Sequence, residues 1–62
     1  MDYKTELLEK ARQTLAFTLS DLNEALGHTT AVESLVVLDL VDAIAMANTK
    51  LSRLMKAMED AS

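Results

Sequence analysis

A chain of 62 residues forms one domain near the lower limit for independent folding, and with no cysteine it has neither disulfides nor thiolate metal sites to reinforce a thin core. A formal charge of −4 argues against a general nucleic-acid or anionic-membrane binder, and a half-apolar composition argues against intrinsic disorder. Tyr3 and Phe17 are the only aromatic residues, so any core must be built from Leu, Val, Ala and Met.

The opening MDYKTELLEK lacks the basic-then-apolar pattern of a secretory leader. The longest apolar region is interrupted by Asp39 and Asp42 and is too short to span a bilayer. The expectation is a cytoplasmic protein with no membrane contact.

The single glycine, Gly27, divides the chain into two helical patterns, and nothing reads as a strand. The spacing predicts a first helix over about residues 3–26. Asp2 can cap its free amides, and Glu6 and Glu9 suit the positive end of its dipole. Leu8, Ala11, Leu15, Leu19, Leu22 and Leu26 recur at three- and four-residue intervals as its apolar stripe, flanked by Leu7, Thr18 and Ala25. Ser20, Asp21 and Asn23 are weak helix formers, but the stripe passes through them in phase, so one continuous helix is expected.

Gly27 suits the left-handed position that closes many helices, and residues 27–30 are expected as the turn. Thr30-Ala31-Val32-Glu33 has the spacing of a capping box, in which the threonine hydroxyl and the glutamate carboxylate each satisfy the other's backbone amide. A glycine, a short loop and a capping box together specify an αα-hairpin.

The second helix is expected over about residues 31–59, with a main stripe of Val37, Leu40, Val41, Ile44, Ala47, Leu51, Leu54, Met55 and Met58. Thirteen of the seventeen residues from Ala31 to Ala47 are apolar, more than one short neighbouring helix can cover. The fold class that follows is all-α: an antiparallel two-helix hairpin that assembles as a homodimeric four-helix bundle. Leu35, Leu38, Val41, Ala45 and Met46 are the expected self-association residues. Met55 and Met58 are expected beyond the end of helix 1, as adaptable apolar side chains for another surface.

Charge is distributed unevenly along the hairpin. Residues 13–49 contain five acidic residues and no Lys or Arg, whereas residues 1–12 and 50–62 together carry six basic and five acidic ones. A dimer with its turns at opposite ends sets the acidic half of one copy beside the slightly basic end of the other. Salt screening keeps this bias modest.

Few residues suggest chemistry. Asp39 and Asp42 share a helical face, but the lone His28 lies in the turn and no Glu-x-x-His motif is present, so a solvated acidic face is expected rather than a metal site. A two-helix chain also offers little of the concave, dry pocket that general acid–base catalysis needs. No enzyme activity, cofactor, metal or small-molecule substrate is expected. Phe17, set opposite Leu15 and in line with Tyr3 and Lys10, reads as an aromatic anchor for a partner or as a contact within the homodimer. Tyr3, Lys10, Phe17, Met55 and Met58 are the partner-binding candidates. The reading is a non-enzymatic interaction module: a small dimeric hairpin serving another protein as regulator, inhibitor, adaptor or co-chaperone.

Length, hairpin topology and turn position, together with Lys4-Thr5, Ala11-Arg12, Leu22-Asn23-Glu24 and an outward Phe17, resemble the Rop family of plasmid copy-number regulators. That resemblance implies a four-helix dimer that binds RNA loops, with Lys4, Lys10, Gln13 and Phe17 as the RNA face and Phe17 stacking on a base. Helix 2 departs from the pattern by being far more apolar, and no cation lies between Gln13 and Thr49.

Overall fold

The computed structural model describes residues 2–61 as two helices joined by a short turn, with no strand among them. Helix α1 spans Tyr3–Ala25, a 3-10 turn covers Leu26–His28, and α2 spans Ala31–Ala61. Thirty-one residues at about 1.5 Å each give roughly 46 Å, and the molecule measures 47 × 15 × 11 Å, so α2 sets its long dimension.

Each helix starts with a side-chain cap. The Asp2 carboxylate accepts from the Thr5 amide at 2.8 Å, and the Asp2 carbonyl accepts from the Glu6 amide at 3.1 Å. At α2 the box forms in both directions: the Glu33 amide donates to Thr30 Oγ1 at 3.2 Å, and the Thr30 amide donates to Glu33 Oε1 at 2.9 Å. Helix α1 passes through Ser20, Asp21 and Asn23 unbroken.

The turn differs from the expected left-handed closure. Gly27 lies inside the 3-10 turn, and no described residue, glycine included, has a positive φ. Thr29 takes over the closure: its hydroxyl lies 3.2 Å from the Leu26 carbonyl it donates to, and 2.5 Å from the Ser34 hydroxyl. The side chain of Thr29 therefore ties the end of α1 to the first turn of α2, and a tight 3-10 turn suffices.

On α1 and at the start of the turn the residues at intermediate burial include Leu8, Leu15, Leu19, Leu22 and Leu26, the anticipated stripe, whereas Ala11 is exposed. On α2 they are Ser34, Val37, Val41, Ile44, Ala45, Asn48, Leu51, Met55 and Met58. Leu40, Ala47 and Leu54 belong to the stripe expected from sequence but are exposed. At about 100° per residue, α2 is turned about 50° from the expected phase. The turn places Ala45 and Asn48 against α1, and small side chains there favour close approach of the two helices. Met55 and Met58 are also corrected, since they are partly covered and share a groove with Asp2, Lys4 and Thr5. The antiparallel fold brings the last turns of α2 back level with the first turn of α1.

No described side chain is fully buried.

Candidate interaction surfaces

The α2 residues displaced from the hairpin seam have a geometry of their own. Val36, Leu40, Ala47 and Leu54 follow one another at spacings of four and seven, so they run as a line along one edge of the helix. On α1 the corresponding edge carries Leu7, Ala11 and Thr18, again at spacings of four and seven. Two right-handed helices running in opposite directions place these edges on the same flank of the hairpin. Leu7, Leu40 and Leu54 are each about half exposed, as expected at the border of a seam that stops short. Among the described residues on these two lines, Lys4, at one end, is the only charged one.

The opposite flank is polar. Glu9, Arg12, Ser20 and Asn23 lie along α1, with Asp42, Thr49 and Lys56 along α2. Arg12 makes a bidentate pair with Glu9, Nη2 to Oε1 at 2.6 Å and Nε to Oε2 at 3.3 Å. Hydrogen bonding from Arg12 holds the Glu9 carboxyl below its usual range, and the same bond raises Arg12. At the helix start, hydrogen bonds from the backbone and then the side chain of Thr5 lower the Asp2 carboxyl. Leu38, about half exposed, is an apolar residue among polar ones on this side.

The five residues expected for self-association therefore do not form one surface. Val41 and Ala45 lie half-buried in the hairpin seam, and Leu38 sits on the polar flank. Leu35 and Met46 point away from α1, 70% and 60% exposed.

The partner-binding candidates fall into two places. Tyr3 and Phe17 stand out from α1, 73% and 71% exposed, with Lys10 between them. Tyr3, Leu7, Lys10 and Gln13 line a shallow groove of about 290 Å³ there. Met55 and Met58 instead line an open groove of about 780 Å³ at the far end of the hairpin from the turn, rimmed by Lys4, Glu9 and Glu59.

Two features escaped sequence reasoning. One is the phase of α2, and with it the charge-free flank. The other is Asn48, whose Oδ1 is shielded from solvent without a hydrogen-bond partner. Only its place at helical spacing from Ile44, Val41 and Leu51 signals that position.

Among the described residues no three His, Asp or Glu side chains gather as metal ligands, and no helix is long and apolar enough to cross a membrane. Comparison with protein families, with curated proteins and with solved structures found no match to this chain. The likeness to Rop rests on the short segments quoted above.

Proposed function

We propose that this chain is a non-enzymatic protein-interaction module, a helical hairpin that pairs with a second copy as a four-helix bundle and engages another protein through its outer face. The observation that carries the reading is exposed area. A compact monomer of this mass is expected to expose about 4,000 Å², whereas the hairpin exposes 4886 Å². The surplus, about 900 Å², is close to the roughly 800 Å² that each partner contributes to a standard interface.

Pairing through the charge-free flank leaves Tyr3, Lys10 and Phe17 outside the bundle, where an aromatic anchor can meet a regulatory or client protein. Sedimentation equilibrium with circular dichroism over a dilution series tests the first half of the proposal: a helical dimer that loses helix on dilution supports it, and a stably folded monomer refutes it. For the second half, Phe17→Ala is expected to leave helix content and dimer mass unchanged while abolishing partner binding. A dimer that dissociates on this change would place Phe17 in self-association instead.

RNA binding is the second reading, favoured by the alignment of Lys10 and Gln13 in one groove with Phe17 beyond it. A complex with looped RNA that weakens with salt and is lost in Lys10→Ala is its expected signature. No binding at low ionic strength removes it.

A further inference from the structure

We infer that the second copy seats on the flank formed by Leu7, Ala11, Val36, Leu40, Ala47 and Leu54, with the two turns at opposite ends and Ala47 at the two-fold axis. The inference rests on the dimer reading above and specifies how that dimer is built.

Geometry limits the choices. A two-fold axis in the plane between two facing hairpins lies either along the helices or across them. Along them, the turns come together and each α2 covers the other copy's α1. Across them, the turns lie at opposite ends and every helix packs antiparallel on its own counterpart.

Charge selects the second arrangement. With the turns together, the ten acidic residues of the two lysine- and arginine-free halves crowd one end. With the turns apart, the acidic turn half of each copy lies beside the other copy's open end, which carries six basic residues against five acidic ones.

The spacing of the apolar residues agrees. Leu40 and Leu54 stand seven residues either side of Ala47, near the middle of α2. An axis at Ala47 therefore stacks Leu40 of each copy on Leu54 of the other. These two leucines are 47% and 49% exposed in the hairpin, so each has an uncovered half for that contact. The small side chain at the axis allows the helices to approach to the lower end of the usual 8–10 Å range. Ala11 lies on the same flank of α1 and allows the same close approach there.

The chain lacks cysteine, so an introduced thiol reports only on its own position. Ala47→Cys, oxidised at a concentration where sedimentation shows the dimer, is expected to link two copies, because a disulfide needs α-carbons within about 7 Å. Leu54→Cys alone is expected not to link, its copies lying about 21 Å apart along the axis. Mixed with Leu40→Cys, it is expected to form the heterologous link. Ala43→Cys is likewise expected not to link to itself, its copies lying about 12 Å apart along the axis, so the mixed Leu40→Cys and Leu54→Cys pair is the second reporter should Ala47→Cys lower helix content. A dimer in which neither Ala47→Cys nor the mixed Leu40→Cys and Leu54→Cys pair links, or in which Leu54→Cys links to itself, overturns this arrangement and leaves the dimer reading standing. A chain that is monomeric at every concentration overturns both.

Discussion

The two flanks of the hairpin are made from the same pair of helices, yet they have opposite characters. One carries Leu7, Ala11, Val36, Leu40 and Leu54 with no charge beyond Lys4 at its end, while the other carries Glu9, Arg12, Asp42 and Lys56. For the proposed dimer, the difference says which flank a second copy would cover. A two-helix chain cannot enclose a side chain, so a flank without charge is costly in water and a charged flank is not. The polar side, with its Glu9–Arg12 pair, is finished as it stands.

The largest expected effect comes from placing the same charge on each flank. Leu40→Glu buries an unpaired carboxylate in the proposed interface, and it is expected to cost at least about 3 kcal/mol and yield an unfolded or monomeric chain in sedimentation. Leu38→Glu, on the polar flank, is expected to leave dimer mass unchanged and stability in thermal unfolding within about 0.5 kcal/mol of the parent. The reverse ranking would exchange the roles of the two flanks.

Asn48 tests the seam between the flanks. Its shielded Oδ1 lacks a partner, and Asn48→Leu is expected to stabilise the protein by about 1–2 kcal/mol in chemical denaturation. A loss of stability would show that the amide is satisfied in the assembled protein.

Smaller effects belong to the ends of the hairpin. Thr30→Ala removes half of the reciprocal cap and is expected to cost about 1 kcal/mol. Gly27→Ala is expected to stabilise by roughly 0.5 kcal/mol, because Gly27 has no positive φ and an added Cβ meets nothing within 4 Å. Destabilisation by that change would restore the left-handed closure.

The smallest effect is a titration. Because the folded Asp2 carboxyl titrates below its ordinary value, the cap's contribution is present at neutral pH and is lost as the pH falls through the lowered value. The Thr5 amide chemical shift should follow that titration, and Asp2→Asn should abolish it.

The architecture was legible because its signals are local. Asp2, Thr30 and Glu33 cap where their spacing says they should, and the leucines of α1 define a single stripe on an otherwise polar helix. The phase of α2 was not legible, for a physical reason. When more than half of a helix's circumference is apolar, periodicity allows several rotations, and the choice falls to packing. The structure prefers Ala45 and Asn48 facing α1 over Leu40 and Leu54. The face chosen from sequence for self-association, with Leu35 and Met46 at its centre, was sensitive to the same ambiguity. The turn misled differently. Glycine suggested a left-handed residue, but the hydroxyl of Thr29 supplies the closing hydrogen bond without one.

The absence of any fully buried side chain among the described residues has a consequence for the protein's lifetime in a cell. If folding is completed only by pairing, its rate depends on the square of the chain concentration, and the folded fraction rises with expression. Scarce chains then remain open to proteases while abundant ones are protected. Such a protein sets a threshold on its own abundance, below which it is cleared and above which it accumulates.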